Sequence, residues 1–179
     1  FSYPSSIFKK SLRNKFIITE VVLQLSKTNH KITKSYKSIN DALNNKKIHN
    51  PTIKDIARIV SKIRENKLPN PSLIGNSGSF FKNPIVSIEL LNKLKQKFSK
   101  LVYFKESVSK YKLSAAWLIE NCNFKNIEEK NVGVYKNQAL VIINLGNATG
   151  KDILLFSEKI KSTVLEKFDI LLEEEVNII

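Results

Sequence analysis

The sequence predicts an α+β fold, and three observations carry that expectation. Segments with strand-like and helix-like periodicity alternate in mixed order along the chain. Neither G-x-G-x-x-G nor G-x-x-x-x-G-K-[ST] occurs, so the strand-glycine-helix fingerprint of a dinucleotide or phosphate-loop fold is missing. With 179 residues, 42% of them apolar, the chain is long enough for one full core or two small domains.

Residues 16–25, FIITEVVLQL, are β-branched and apolar over about the length of a strand, and a strand is expected there. A polar excursion follows, with turn-forming asparagines and room for a short helix near Ala42. Thr52 and Asp55 have the spacing of a capping box. Ile53, Ile56, Ala57, Val60 and Ile63 then recur at helical spacing, which predicts one buried stripe ending near Lys67. Two prolines in KLPNP stop that helix and mark the clearest boundary in the chain.

The next segment, GNSGSFFKNP (residues 75–84), combines backbone freedom with two aromatic rings. Glycine lets the backbone approach another group closely, and buried phenylalanines would anchor such a loop. A small hydroxyl held between the two suits a reactive group, and an ordinary turn entering a strand is the plainer alternative. SFFKNPIVS reads as a short strand closed by Pro84, and Ser87 as the cap of a helix with Ile88, Leu91, Leu94 and Phe98 on its apolar face.

LVYF is expected to be a short strand or buried edge, and KLSAAWLIENC a compact helix begun by Ser114 with Trp117 and Leu118 turned inward. NVGVY and QALVIIN read as two strands joined at Lys136 and Asn137. Thr149 and Asp152 spell a second capping box, ahead of a helix with Ile153, Phe156, Ile160 and Val164 on one face and its end near Phe168. DILLEEEVNII closes the chain as an expected last strand, where side-chain alternation would put Glu173 and Glu175 on one face and Glu174 on the other.

The formal charge of +14 raises the question of nucleic acid, but only three of the thirty basic residues are arginine and the lysines are spread along the chain. Without arginine forks or a nucleic-acid motif, the charge reads as a solvated surface, and no nucleic-acid partner is expected. No apolar run approaches the length of a membrane span, so no membrane partner is expected and a cytoplasmic location follows. One cysteine, Cys122, excludes an internal disulfide, and His30 and His49 have no companions at metal-ligand spacing. The chain begins at Phe1 and contains no methionine, which reads as a piece of a longer protein.

Taken in order, FSYPSSIFK, IRENKLPNP, GNSGSFFKNP, KLSAAWLIE, QALVIIN, NATGKDI and LLEEEV resemble the C-terminal half of the UDP-N-acetylenolpyruvoylglucosamine reductase family. The resemblance runs from residue 1 to residue 179. It implies residues 1–68 as the C-terminal remnant of a FAD-binding domain, 69–168 as a substrate-binding domain, and 169–179 as a strand returning to the first. It also implies a chemistry: NADPH reduces FAD, hydride passes to the enolpyruvyl double bond of UDP-N-acetylglucosamine enolpyruvate, and a proton follows to the neighbouring carbon. The product, UDP-N-acetylmuramate, serves peptidoglycan synthesis.

By the same resemblance Ser79 is the proton donor, a role a serine hydroxyl can fill only toward a strongly basic carbanion-like centre at close range. Glu175 matches the catalytic glutamate of the LExEV pattern. Lys67, Asn83 and Gln138 match substrate-contacting positions, and Tyr36 the tyrosine of a loop that folds over substrate, here with one inserted residue beside it. Taken alone, Lys67 is a helix-end charge, Asn83 a turn former before proline, Tyr36 a half-exposed loop aromatic and Glu173–Glu175 a solvated acidic edge.

Three features depart from the family pattern. Pro4 stands where FxYRxSxFK carries a catalytic arginine, so the electrostatic stabilisation that a cation supplies, often a few kcal/mol, does not come from that position. Asn177 stands where arginine commonly follows EV. The half that carries most flavin-binding residues lies outside these 179 residues and would be supplied in cis or in trans; no cofactor-binding residue is assigned here. The alternative to an enzyme is a truncated or decayed non-catalytic remnant that at most binds a UDP-sugar.

Overall fold

The structure is a computed structural model that describes residues 6–9, 11–13, 15–32 and 36–178. Pro4 lies outside the described residues. The chain divides into two compact units, residues 1–61 and 62–179.

In the first unit a 3-10 turn covers Ile7–Lys9 and helix α1 covers Lys37–Asn45, which includes Ala42 as expected. Ile39 and Leu43, one turn apart, are its buried residues. Residues 16–25 are not a strand. They take no regular structure, and Phe16, Ile17, Ile18, Val21, Val22, Leu23 and Leu25 are all exposed. A strand is completed by a neighbouring ladder, and no described segment pairs with this one. Its composition therefore reports a preference for extension and burial that these residues do not satisfy by themselves.

Helix α2 (Ile53–Lys67) begins and ends as predicted. Thr52 N–H donates to Asp55 Oδ2 (2.9 Å) and Asp55 N–H to Thr52 Oγ1 (3.2 Å), the two reciprocal bonds of a capping box. The buried stripe is rotated from the expected one. Ile59 is the buried residue, flanked by half-buried Ile56, Val60 and Ile63, whereas Ile53 and Ala57 are exposed. Positions 56, 59, 60 and 63 share one face at the i, i+3, i+4, i+7 spacing, and Ile53 sits on the opening turn.

The second unit contains β1 (Gly75–Ser79), β2 (Ile85–Ser87), α3 (Ile88–Lys97), β3 (Tyr103–Lys105), β4 (Lys110–Leu113), α4 (Ala115–Asn121), β5 (Glu128–Glu129), β6 (Val132–Val134), β7 (Val141–Asn144) and α5 (Gly150–Phe168). The fold is α+β. One sheet has the order β1-β7-β6-β5 and the other β2-β4-β3, and every pairing is antiparallel. Two strands, β4 and β5, were not legible in the sequence. KYKL alternates charge with only two apolar residues, and EE carries no hydrophobic signal.

Ser87, Ser114 and Thr149 each accept a backbone N–H as helix caps, and Thr149 forms the full box with Asp152. A single core joins the elements. Leu113, Leu118, Ile119, Ile160 and Val164 are wholly inaccessible, while Phe168 packs on Phe98 (4.9 Å between ring centroids) and Trp117 (5.8 Å). At Gly133 the sheet requires glycine, because a Cβ there would stand 2.8 Å from the Ile127 carbonyl oxygen.

Two expectations change around the glycine-rich segment. The strand is not SFFKNPIVS; the glycine run itself is β1, paired with β7, and β2 starts only after Pro84. The closing segment is not a full strand either. It pairs through one isolated antiparallel bridge, Phe81 to Glu174, just beyond the end of β1.

Candidate functional site

Ser79 ends β1 and is exposed, with Phe80 and Phe81 buried immediately behind it. The two rings meet edge to face at 5.1 Å, so the apolar anchor anticipated from the sequence is present. Ahead of Ser79 the register of β1 against β7 shifts between Asn76 and Ser79. Gly78, at φ +75°, makes that bulge. Asn76 holds it, its side-chain Nδ2 donating to the Ile74 carbonyl (2.9 Å) and its Oδ1 accepting from the Gly78 N–H (3.0 Å).

A Cβ on Gly78 would meet nothing within 4 Å, so the conformation and not space requires glycine there. Gly78→Ala is therefore expected to cost about 1–2 kcal/mol. Urea unfolding of the variant checks this, since an unchanged midpoint would mean that the turn readily adopts another conformation.

Phe80 is the junction of the site. Its N–H donates to the Leu140 carbonyl (2.8 Å), and its own carbonyl accepts from the Glu175 N–H (2.8 Å). Lys82 N–H donates to the Glu173 carbonyl (2.8 Å), and Lys82 Nζ pairs with Glu173 Oε2 at 3.1 Å. Glu175 is thereby paired to the residue next to Ser79, although 95 positions separate Phe80 and Glu175 in sequence. The Glu175 side chain is half-buried, with its Oε2 buried.

Behind Glu175, Lys161 of α5 donates to Glu174 Oε1 (2.8 Å) and to Glu158 Oε1 (2.9 Å). Those hydrogen bonds, the one to Glu174 foremost, hold the Lys161 ammonium above its usual pKa. For Glu174, burial pushes the carboxyl up, but the Lys161 hydrogen bond and charge, together with a backbone bond, bring it below its usual value. A carboxylate with a lowered folded pKa contributes stability above its unfolded value and loses it as pH falls through the folded one. The raised Lys161 contributes fully below its own unfolded pKa, so the pair is intact at neutral pH. Glu174→Gln is expected to flatten the loss of stability below the usual glutamate value of 4.5, measured as urea midpoint against pH. Parallel curves for the two proteins would contradict the assignment.

The other expected residues divide. Gln138 is half-buried in the turn between β6 and β7, its N–H on the Tyr135 carbonyl (3.2 Å) and its carbonyl receiving the Val141 N–H (3.0 Å). That turn reaches the end of α2, where Asn137 Nδ2 donates to the Asn66 carbonyl (2.9 Å), next to exposed Lys67. Asn83 has a structural task that the sequence did not reveal: its Oδ1 accepts from the Ala115 N–H (2.9 Å) at the first turn of α4. Tyr36 is exposed at the N-terminus of α1, in the first unit. Lys161 and Lys82 were not singled out from the sequence, because nothing in a lysine-rich chain marks two lysines whose partners lie 13 and 91 positions away.

A cavity of about 400 Å³ opens beside Leu73, Ile74, Gly75 and Asn144–Asn147, at the opposite end of β1 from Ser79. It contains none of the six expected residues and neither a cation nor an aromatic face. The lining residues do not fit a flavin.

An exposed serine thus ends a bulged edge strand of an α+β domain, with the core behind it and a glutamate-bearing segment hydrogen-bonded to the residue that follows it. Comparison with known proteins assigns the lineage. Residues 70–179 match the family model described as UDP-N-acetylenolpyruvoylglucosamine reductase, C-terminal domain. Proteins of the name UDP-N-acetylenolpyruvoylglucosamine reductase match over the whole chain. The one from Flavobacterium johnsoniae is 46% identical over 179 residues, covering 100% of this chain and 53% of its own length. That from Buchnera aphidicola subsp. Schizaphis graminum is 41% identical, covering 100% and 51%, and that from Pseudomonas aeruginosa 36% identical, covering 99% and 52%. The chain belongs to the UDP-N-acetylenolpyruvoylglucosamine reductase family, and it spans about half the length of the curated relatives it matches.

Proposed function

We propose that the chain is the C-terminal part of a cytoplasmic reductase of peptidoglycan synthesis that converts UDP-N-acetylglucosamine enolpyruvate to UDP-N-acetylmuramate. FAD reduced by NADPH supplies the hydride. The observation that carries the reading is the hydrogen bond from the Glu175 N–H to the Phe80 carbonyl, which brings the segment of one expected catalytic residue against the strand of the other.

In this reading Ser79 Oγ gives its proton to the carbon that holds the electron pair once hydride has added to its neighbour. A weak acid suffices because that carbon is strongly basic, and the rigid Phe80–Phe81 base fixes the hydroxyl where proximity counts. Glu175 is the acid–base partner beside it. Lys67 meets phosphate with a point charge, Gln138 presents an amide from its turn, and Asn83 presents its NH₂ group while its oxygen stays on α4. Tyr36 closes over the substrate from its own segment.

Residues 69–168 are the substrate-binding domain, 169–179 the returning segment and 1–68 the end of the FAD-binding domain. The exposed apolar run at 16–25 supports that last assignment, since it asks for a neighbour. Flavin and NADPH are assigned to the remainder of the full-length protein.

The full-length protein, purified with its flavin, is expected to oxidise NADPH in proportion to added UDP-N-acetylglucosamine enolpyruvate. Oxidation indifferent to that sugar would contradict the reading. Binding of the sugar without NADPH oxidation would instead select the non-catalytic remnant that Pro4 suggests.

A further inference from the structure

We infer that Lys161 is a positioning residue for the reaction: by gripping Glu174 from α5 it fixes the neighbouring Glu175 against the Ser79 strand. This rests on the catalytic reading of Ser79 and Glu175 given above.

The segment that carries Glu175 is anchored on its apolar side by Ile170 and Leu172, buried in the core, and by Val176, packed against it. Its backbone pairs through one bridge, Phe81 to Glu174, flanked by two hydrogen bonds, and it lies outside any regular element. Lys82 and Glu173 add an ion pair at its rim, but the Glu173 side chain is 73% exposed there, and such a pair contributes little. Lys161 differs in three respects. Its side chain is only 16% exposed, and that of Glu174 only 23%, so water competes less for the contact. Its ammonium is held by two carboxylates at once, Glu174 and Glu158. Its helix is seated in the core through Ile160 and Val164, both wholly buried.

The charge bond therefore ties the polar side of the segment, at Glu174, to a helix seated in the core. Glu174 turned toward α5 also defines where its neighbour sits, since Glu175 follows directly and donates its N–H to Phe80. Without Lys161, a half-buried carboxylate loses its partner and the segment has reason to move outward. Displacements of about 1 Å at a reacting group can lower a rate about 100-fold.

The test uses the full-length protein as wild type, Lys161→Met, Lys161→Arg and Glu174→Gln. Hydrogen exchange at the Glu175 amide reads the clamp without reference to activity. It should quicken at least about tenfold in Lys161→Met and Glu174→Gln and return toward wild type in Lys161→Arg, with amides of β6 and β7 unchanged. Turnover with UDP-N-acetylglucosamine enolpyruvate should fall about 10–100-fold in the same two variants, with KM for NADPH unaltered, and recover in Lys161→Arg.

Unchanged exchange at Glu175 would overturn the clamp whatever the turnover. Faster exchange with undiminished turnover would overturn its catalytic role. A general loss of protection across β6 and β7 would show Lys161 to be merely a stability residue, and also overturns the proposal. Ser79→Ala assayed alongside separates the two levels. If that variant keeps full turnover, the catalytic reading has failed, and the clamp stands or falls on exchange alone.

Discussion

Ser79→Ala in the full-length protein is expected to lower turnover about 10²–10⁴-fold while the affinity for UDP-N-acetylglucosamine enolpyruvate changes little. The side chain is exposed at the end of β1 and the core lies behind it in Phe80 and Phe81, so its loss removes the hydroxyl without opening a cavity. The fold should tolerate the change, and the urea midpoint should stay where it was. Steady-state kinetics with a separate binding titration check the split. Turnover within a few-fold of wild type would remove Ser79 from the mechanism. A matching loss of affinity would make it a binding residue, because a group that acts only in the transition state leaves ground-state binding intact.

The second large effect is on stability. Phe168→Ala is expected to destabilise the second unit by about 3–5 kcal/mol. Phe168 is 2% exposed and closes an aromatic cluster with Phe98 and Trp117. It is also the last residue of α5, after which Asp169, in a left-handed conformation at φ 58°, turns the chain back toward Ile170, Leu172 and the Glu175 segment. The cavity would therefore open where the site's returning segment leaves its helix. Urea unfolding followed by Trp117 fluorescence measures the loss. A cost within about 0.5 kcal/mol, as for a surface substitution, would mean that neighbouring rings collapse into the space.

How much of this was legible depended on whether the signal was local. The capping boxes at Thr52–Asp55 and Thr149–Asp152, and the serine caps at 87 and 114, were readable because a helix start is decided within four residues. The expected α2 stripe shares Ile56, Val60 and Ile63 with the buried face but takes Ile53 and Ala57 in place of Ile59, because four isoleucines, a valine and an alanine allow more than one face. The composition of residues 16–25 predicts a strand, yet pairing makes a strand and composition only permits it.

The site divides in the same way. GNSGSFF announced both the positive φ at Gly78 and the buried anchor, since glycine and paired aromatics advertise themselves. The route by which Glu175 reaches Phe80 was invisible to periodicity, as a single bridge leaves no pattern. Asn83 was expected as a ligand contact and is also the oxygen that receives the Ala115 N–H, a contact across 32 positions. Long-range polar contacts of this kind depend on tertiary placement, so the Lys161–Glu174 bond could be found only after the fold was in hand.

The most direct test of the central claim, that Ser79 and Glu175 form one site, is a crystal structure of the full-length protein with UDP-N-acetylglucosamine enolpyruvate bound. The enolpyruvyl group should lie within hydrogen-bond reach of both the Ser79 hydroxyl and the Glu175 carboxylate. Density for the sugar instead in the cavity beside Leu73 and Asn147, at the far end of β1, would contradict the account.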